Sequence, residues 1–209
     1  MHLDKAVTSL LAGVGIAGVA LGFAFQDITA NLLSGVALVI NKDYPFKVKD
    51  IIETNDFIGY VEEISLRSTT ISTFQGQTVI IPNRVIYENP LVNYSFTQKR
   101  RVDLEIGVSY GDDLKKVVDI TMQAIQDIDR DKSKVVEVFY KEFGSSSINL
   151  ELRFWVPFKD PNQYLEARHQ AIIAVKEAFD ANNITIPFPI RTLDFGIKGG
   201  KTLENMLAN

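Results

Sequence analysis

The chain reads as a membrane protein of the α+β class: one kinked apolar helix, a small β-domain, then an α/β domain. Three observations predict this. From Ala6 to Ile40 the only charged residue is Asp27. From Asp50 to Phe96, short β-branched segments alternate with turn residues. From Arg101 onward, alternating strand patterns are separated by two amphipathic helical ones. The expected boundaries are 1–43 for the apolar helix, 44–97 for the β-domain, 98–189 for the α/β domain, and 190–209 for a last strand and tail.

The apolar run comes first. A helix from Ala6 to Gln26 rises about 30 Å, one hydrocarbon core. Its composition is unusual for a lipid-facing span, because Gly13, Gly15, Gly18 and Gly22 alternate with Ala12, Ala17, Ala20 and Ala24. At about 100° per residue, Gly15, Gly18 and Gly22 share one face, and Gly13, Ala17, Ala20 and Ala24 the opposite one. Small residues let membrane helices approach closely. One such face would serve a dimer; two opposed faces point to a neighbour on each side, as in a closed ring of identical subunits around a pore. Between them run two apolar stripes, Ala12/Ile16/Val19/Phe23 and Val14/Leu21/Phe25. One should face the ring axis, and the wheel does not say which. A secretory signal is disfavoured by the barely basic start and the second apolar run from Ile28. A soluble core helix would lose about 1 kcal/mol per interior glycine relative to alanine. A plain single-span anchor would not need two small faces.

Gln26-Asp27 divides the run. Asp27 reads as an N-cap at a kink, with Ile28–Ile40 a second helix containing Gly35. Alternatively Asp27 is an intramembrane carboxylate near a pore mouth, and the two readings are compatible. Lys42, Lys47 and Lys49 follow the run and Lys5 alone precedes it, which places the soluble part in the cytoplasm.

In the β-domain, Ile51–Glu53, Ile58–Ser65, Arg67–Phe74 and Thr78–Ile81 read as strands. Gly59 marks a bulge or turn, Phe74–Gln77 a hairpin, and Asn83 the cap of a brief turn over Arg84–Tyr87. The expected result is a small barrel or sandwich. In the α/β domain the strands are Val102–Ser109, Val135–Phe143 and Ile148–Val156, with helices over Asp112–Ile128 and Asp160–Asn183 and a last strand near Ile190–Ile197. That order is the split β-α-β, ferredoxin-like arrangement.

Composition excludes several functions. The 209 residues carry a net charge of −4, no cysteine and two histidines. No basic stripe recommends nucleic acid, no residue set recommends a metal or other cofactor, and no catalytic motif recommends an enzyme. A mean hydropathy of +0.04 hides the split between the apolar run and a water-soluble remainder.

The motifs resemble the small-conductance mechanosensitive (MscS-like) channels. The resemblance is carried by Gly18–Gln26 with Asn31 and Gly35, by Tyr44–Asp50, by Gly59–Ile64, and by Arg67–Ile71 through Gly76–Asn83, in the family's order and spacing. Gly144–Ser147 and Ile186–Pro189 are similar more loosely. The resemblance implies a homo-heptamer in the inner membrane, with a pore-lining third transmembrane helix, an Sm-like β-domain and a hollow cytoplasmic vestibule. It implies opening under membrane tension, with passage of ions and small osmolytes in hypo-osmotic shock. It places the gate on Val19 and Phe23, and hence their stripe toward the axis. A final strand, Ile190–Phe195, would join a barrel at the vestibule's base. The family's glycine at the bend is Asp27 here, and its first two transmembrane helices have no counterpart in this sequence, so they are expected upstream or from elsewhere. The rival reading is a membrane-anchored cytoplasmic binding module without conductance.

Overall fold

The computed structural model describes residues 2–40, 45–191 and 207. The chain divides into two compact units, Met1–Gln98 and Lys99–Asn209.

In the first unit, α1 runs unbroken over His2–Ile40. The break expected at Gln26-Asp27 is absent, and Gln26, Asp27 and Gly35 all lie inside one helix. The Asp27 side chain caps nothing, because only the first turn of a helix has unsatisfied N–H groups and Asp27 lies inside α1. Its backbone carbonyl accepts from the Asn31 side-chain amide at 2.8 Å.

Five antiparallel strands follow: β1 (Ile51–Thr54), β2 (Phe57–Ile64), β3 (Ser68–Thr73), β4 (Thr78–Pro82) and, after the short helix α2 (Asn83–Glu88), β5 (Val92–Asn93). Their order is β4-β3-β2-β1-β5. No ladder joins β4 to β5 among the described residues, so the sheet is open at both edges. Asn55 and Asp56, both at positive φ (49° and 64°), make the two-residue turn between β1 and β2. Gly76 at φ 81° serves the β3–β4 hairpin, as its sequence predicts. Gly59 is not a bulge. It pairs with Ile52 and Thr73, and a Cβ there would stand 2.2 Å from the Ser72 carbonyl oxygen. The register shift falls two residues later, between Val61 and Glu63. Leu38 of α1 packs into this unit's core with Phe46, Ile52, Val61, Ile71, Ile81 and Ile86.

The second unit contains β6 (Lys99–Val108), α3 (Leu114–Ala124), β7 (Glu137–Phe143), β8 (Ile148–Pro157) and α4 (Pro161–Ala181). The sheet order is β6-β8-β7, the order a split β-α-β sandwich gives its first three strands. Alternation along β8 buries Ile148, Leu150, Leu152, Phe154 and Val156, which meet Ala171, Val175 and Phe179 of α4. Asp113 caps α3 by accepting from the Lys115 and Lys116 amides; Asp160 caps α4 ahead of Pro161. The opposite face of the sheet is charged and laced by Arg101–Asp103, Lys141–Glu105 and Arg153–Glu151 pairs. Beyond α4, Ser109 donates to the Thr185 carbonyl, and the Ile190 amide donates to Ser146 at the β7–β8 turn. The chain therefore crosses the end of the sheet there. Ile190 and Arg191 form no strand, and the rest of the expected last strand lies outside the described residues.

Candidate gate and helix-docking site

The two halves of α1 are built differently. From Ala12 to Asp27 every residue is exposed within this chain. Val19 is 61% and Phe23 72% exposed, and both line one shallow groove with Gly22, Gln26 and Thr29. The remaining small-residue positions, Ala17, Ala20 and Ala24, are exposed as well. A Cβ added at Gly13, Gly15, Gly18 or Gly22 would meet nothing within 4 Å. Nothing in the folded chain requires glycine at any of them, although each costs helix stability relative to alanine.

The second half is docked. Ser34, Gly35 and Leu38 are buried, at the i, i+1, i+4 spacing of one helical stripe. Gly35 has a local reason for its identity. A Cβ there would lie 2.2 Å from the Leu66 carbonyl oxygen and 2.5 Å from Nδ2 of Asn83. Asn83 is the buried hub of this contact. Its amide donates to the Ser65 carbonyl at 2.8 Å, and its Oδ1 accepts from Thr69 at 2.9 Å. The sequence reading of Asn83 as a cap is therefore corrected. Pro82 occupies the N-cap of α2 without a side-chain bond, and the Asn83 side chain is spent on neighbouring strands and loop.

Arg84 completes the docking. Its backbone N–H donates to Oδ1 of Asn31 at 3.1 Å, and its guanidinium pairs with Asp27 at 2.7 Å and Glu88 at 2.8 Å. Glu88 foremost, with Asp27 adding to it, holds the guanidinium above its ordinary pKa, so it stays charged at every accessible pH. Asp27 and Asn31 are one turn apart, so α2 grips two successive turns of α1. Arg84 escaped sequence reading: it lies 57 residues from Asp27, and no periodicity links positions so far apart. Gln26 is exposed and lines the Val19/Phe23 groove. Among the described residues no cluster of acidic or histidine side chains could hold a metal ion.

The helix from Leu10 to Ile40 is long and apolar enough to cross a membrane, and its apolar 18-residue window is unburied by the rest of the chain. Over 197 residues the chain is 32% identical to a small-conductance mechanosensitive channel of Helicobacter pylori, covering 94% of this chain and 70% of that protein. This chain belongs to the MscS family of mechanosensitive channels. Residues 2–26 match the family's "transmembrane helices 2/3", 27–96 its "beta-domain" and 102–186 its "C-terminal" region. An uncharacterized MscS family protein of Archaeoglobus fulgidus is 33% identical, over 90% of this chain and 65% of its own length. The crystal structure of H. pylori MscS in its closed state superposes with a TM-score of 0.81 at 32% identity, over 91% of this chain and 74% of that one. Arabidopsis thaliana MSL1, at 21% identity and a TM-score of 0.76 over 88% of this chain and 67% of its own, shares the fold. The chain spans 65% and 51% of two of its curated MscS relatives. Family membership fits an inner-membrane location with the β-domain on the cytoplasmic side, and the family is one of channels rather than enzymes.

Proposed function

We propose that this chain forms the pore helix and cytoplasmic region of a homo-heptameric channel that opens under membrane tension and releases ions and small osmolytes during hypo-osmotic shock. The observation that carries the proposal is the set of bare glycines. Gly13, Gly15, Gly18 and Gly22 face open space in one chain, yet small residues are what close contact with like helices needs. Seven copies around an axis would fill both small faces, with Gly15/Gly18/Gly22 of one helix against Gly13/Ala17/Ala20/Ala24 of the next.

In that ring the Val19/Phe23 stripe faces the axis. A narrow ring of apolar side chains excludes water and therefore ions, and widening it lets water in. Tension favours the wider state, and the Gly/Ala faces let neighbouring helices slide as the ring expands. Gln26, Asp27 and Gly35 do not form a hinge by breaking the helix. Their part is to join the gate half of α1 to the docked half. The bilayer, the permeating ions and further copies of the chain are the partners; no nucleic acid or cofactor is involved.

Single-channel recording of the protein in membrane patches tests the reading. Stepwise currents that appear with suction are expected. A membrane-anchored binding module would give none, and silent patches with protein present in the membrane would decide for that alternative.

A further inference from the structure

We infer that Arg84 determines the ion preference of the pore by neutralising Asp27 at the inner side of the gate. The inference rests on the channel reading above. Val19, Phe23 and Asp27 occupy positions i, i+4 and i+8 of α1, so Asp27 continues the gate stripe about one helical turn, a rise of about 6 Å, beyond Phe23. It is the only charged residue between Ala6 and Ile40. An ion that has passed the apolar constriction meets this carboxylate next. A ring of bare carboxylates at such a point attracts cations and repels anions.

The carboxylate is not bare. The Arg84 guanidinium stands 2.7 Å from it and reaches Glu88 at 2.8 Å with its other edge. The three side chains together carry a single negative charge per chain, which loss of the guanidinium would double. Arg67 lines the adjoining groove with Asp27, Ile28 and Asn31, and brings a further positive charge to it. Positioning does not depend on the ion pair alone, because the Arg84 backbone, Asn31, Asn83 and Leu38 dock the helix independently. As a fold stabiliser the pair is poorly placed: the Asp27 side chain is 83% and that of Arg84 36% exposed, and exposed pairs add little. What an exposed pair at this position changes is the potential felt by a passing ion.

Reversal potentials in asymmetric KCl test this on the wild-type channel, Arg84→Gln, Asp27→Asn, Arg84→Lys and the double variant Asp27→Asn/Arg84→Gln. One unit charge roughly 7 Å from an ion in water changes its local concentration about threefold. Because the change is repeated in every copy of the ring, Arg84→Gln should raise the cation-to-anion permeability ratio by at least about threefold, and Asp27→Asn should lower it by a similar factor, at about 0.1 M salt. The double variant should return near wild type, Arg84→Lys should stay there, and every shift should shrink at about 1 M salt. Opposite displacement by the two single variants is the signature, because loss of docking would move both alike or move only the tension threshold. If Arg84→Gln does not assemble, the Asp27→Asn and Arg84→Lys arms still decide. Wild-type currents with reversal potentials unchanged in Asp27→Asn would overturn the inference while leaving the channel intact. Silent wild-type patches would instead overturn the channel reading beneath it.

Discussion

The two halves of α1 use glycine for opposite reasons. At Gly35 the reason is inside the chain: the Leu66 carbonyl lies where a Cβ would stand. At Gly13, Gly15, Gly18 and Gly22 a side chain would meet nothing. One half of the helix is thus packed against its own chain, and the other, on the proposed channel reading, packs against neighbouring copies. Substitutions in the docked half should damage the fold, whereas those in the bare half should spare the fold and change only the assembled channel.

Gly35→Leu and Leu38→Ala should produce the largest effects. In the first, the new side chain must displace backbone rather than a flexible side chain, and overpacking of this kind costs about 1–3 kcal/mol or more. Thermal unfolding of the β-domain should show a lowered midpoint, and an unchanged midpoint would break the comparison on its docked side. Leu38→Ala removes a side chain that is 3% exposed, and a loss of about 2–5 kcal/mol is expected in chemical denaturation.

Phe23→Ser belongs to the bare half. It should leave unfolding unchanged and wet the gate, raising resting conductance and slowing growth of cells that express it. Gly22→Ala should affect the fold only through a gain of up to about 1 kcal/mol in helix propensity. Patch recording should nevertheless find its tension threshold shifted, since an added methyl group on a sliding face obstructs its neighbour. A threshold equal to wild type would count against the helix-packing role of the small faces.

Much of the fold was legible because it rests on local patterns. The alternation of β8, the Asp160-Pro161 helix start and the Gly76 turn each need only a few adjacent residues. What was misread depends on contacts between distant residues. Asp27 resembles a cap when only its neighbours are considered, but the helix continues to Ile40 and the carboxylate pairs with Arg84 across the fold. Asn83 likewise looks like a cap until Thr69 and Ser65 claim its amide. Gly59 signals a break in its strand by type, whereas the cause is the close approach of Ser72. The small faces of the gate half could be read directly because helical periodicity alone defines them. Which apolar stripe lines the axis came only from family resemblance, since the wheel treats both stripes alike.

That choice of stripe is the central claim, and the chain's lack of cysteine allows a direct test. Single cysteines at Phe23 and, on the other stripe, at Leu21 would be exposed to a charged thiol reagent while tension holds the channel open. Rapid loss or alteration of current in Phe23→Cys, with Leu21→Cys unaffected, is the predicted result. Modification of current through Leu21→Cys with Phe23→Cys unaffected would contradict the account.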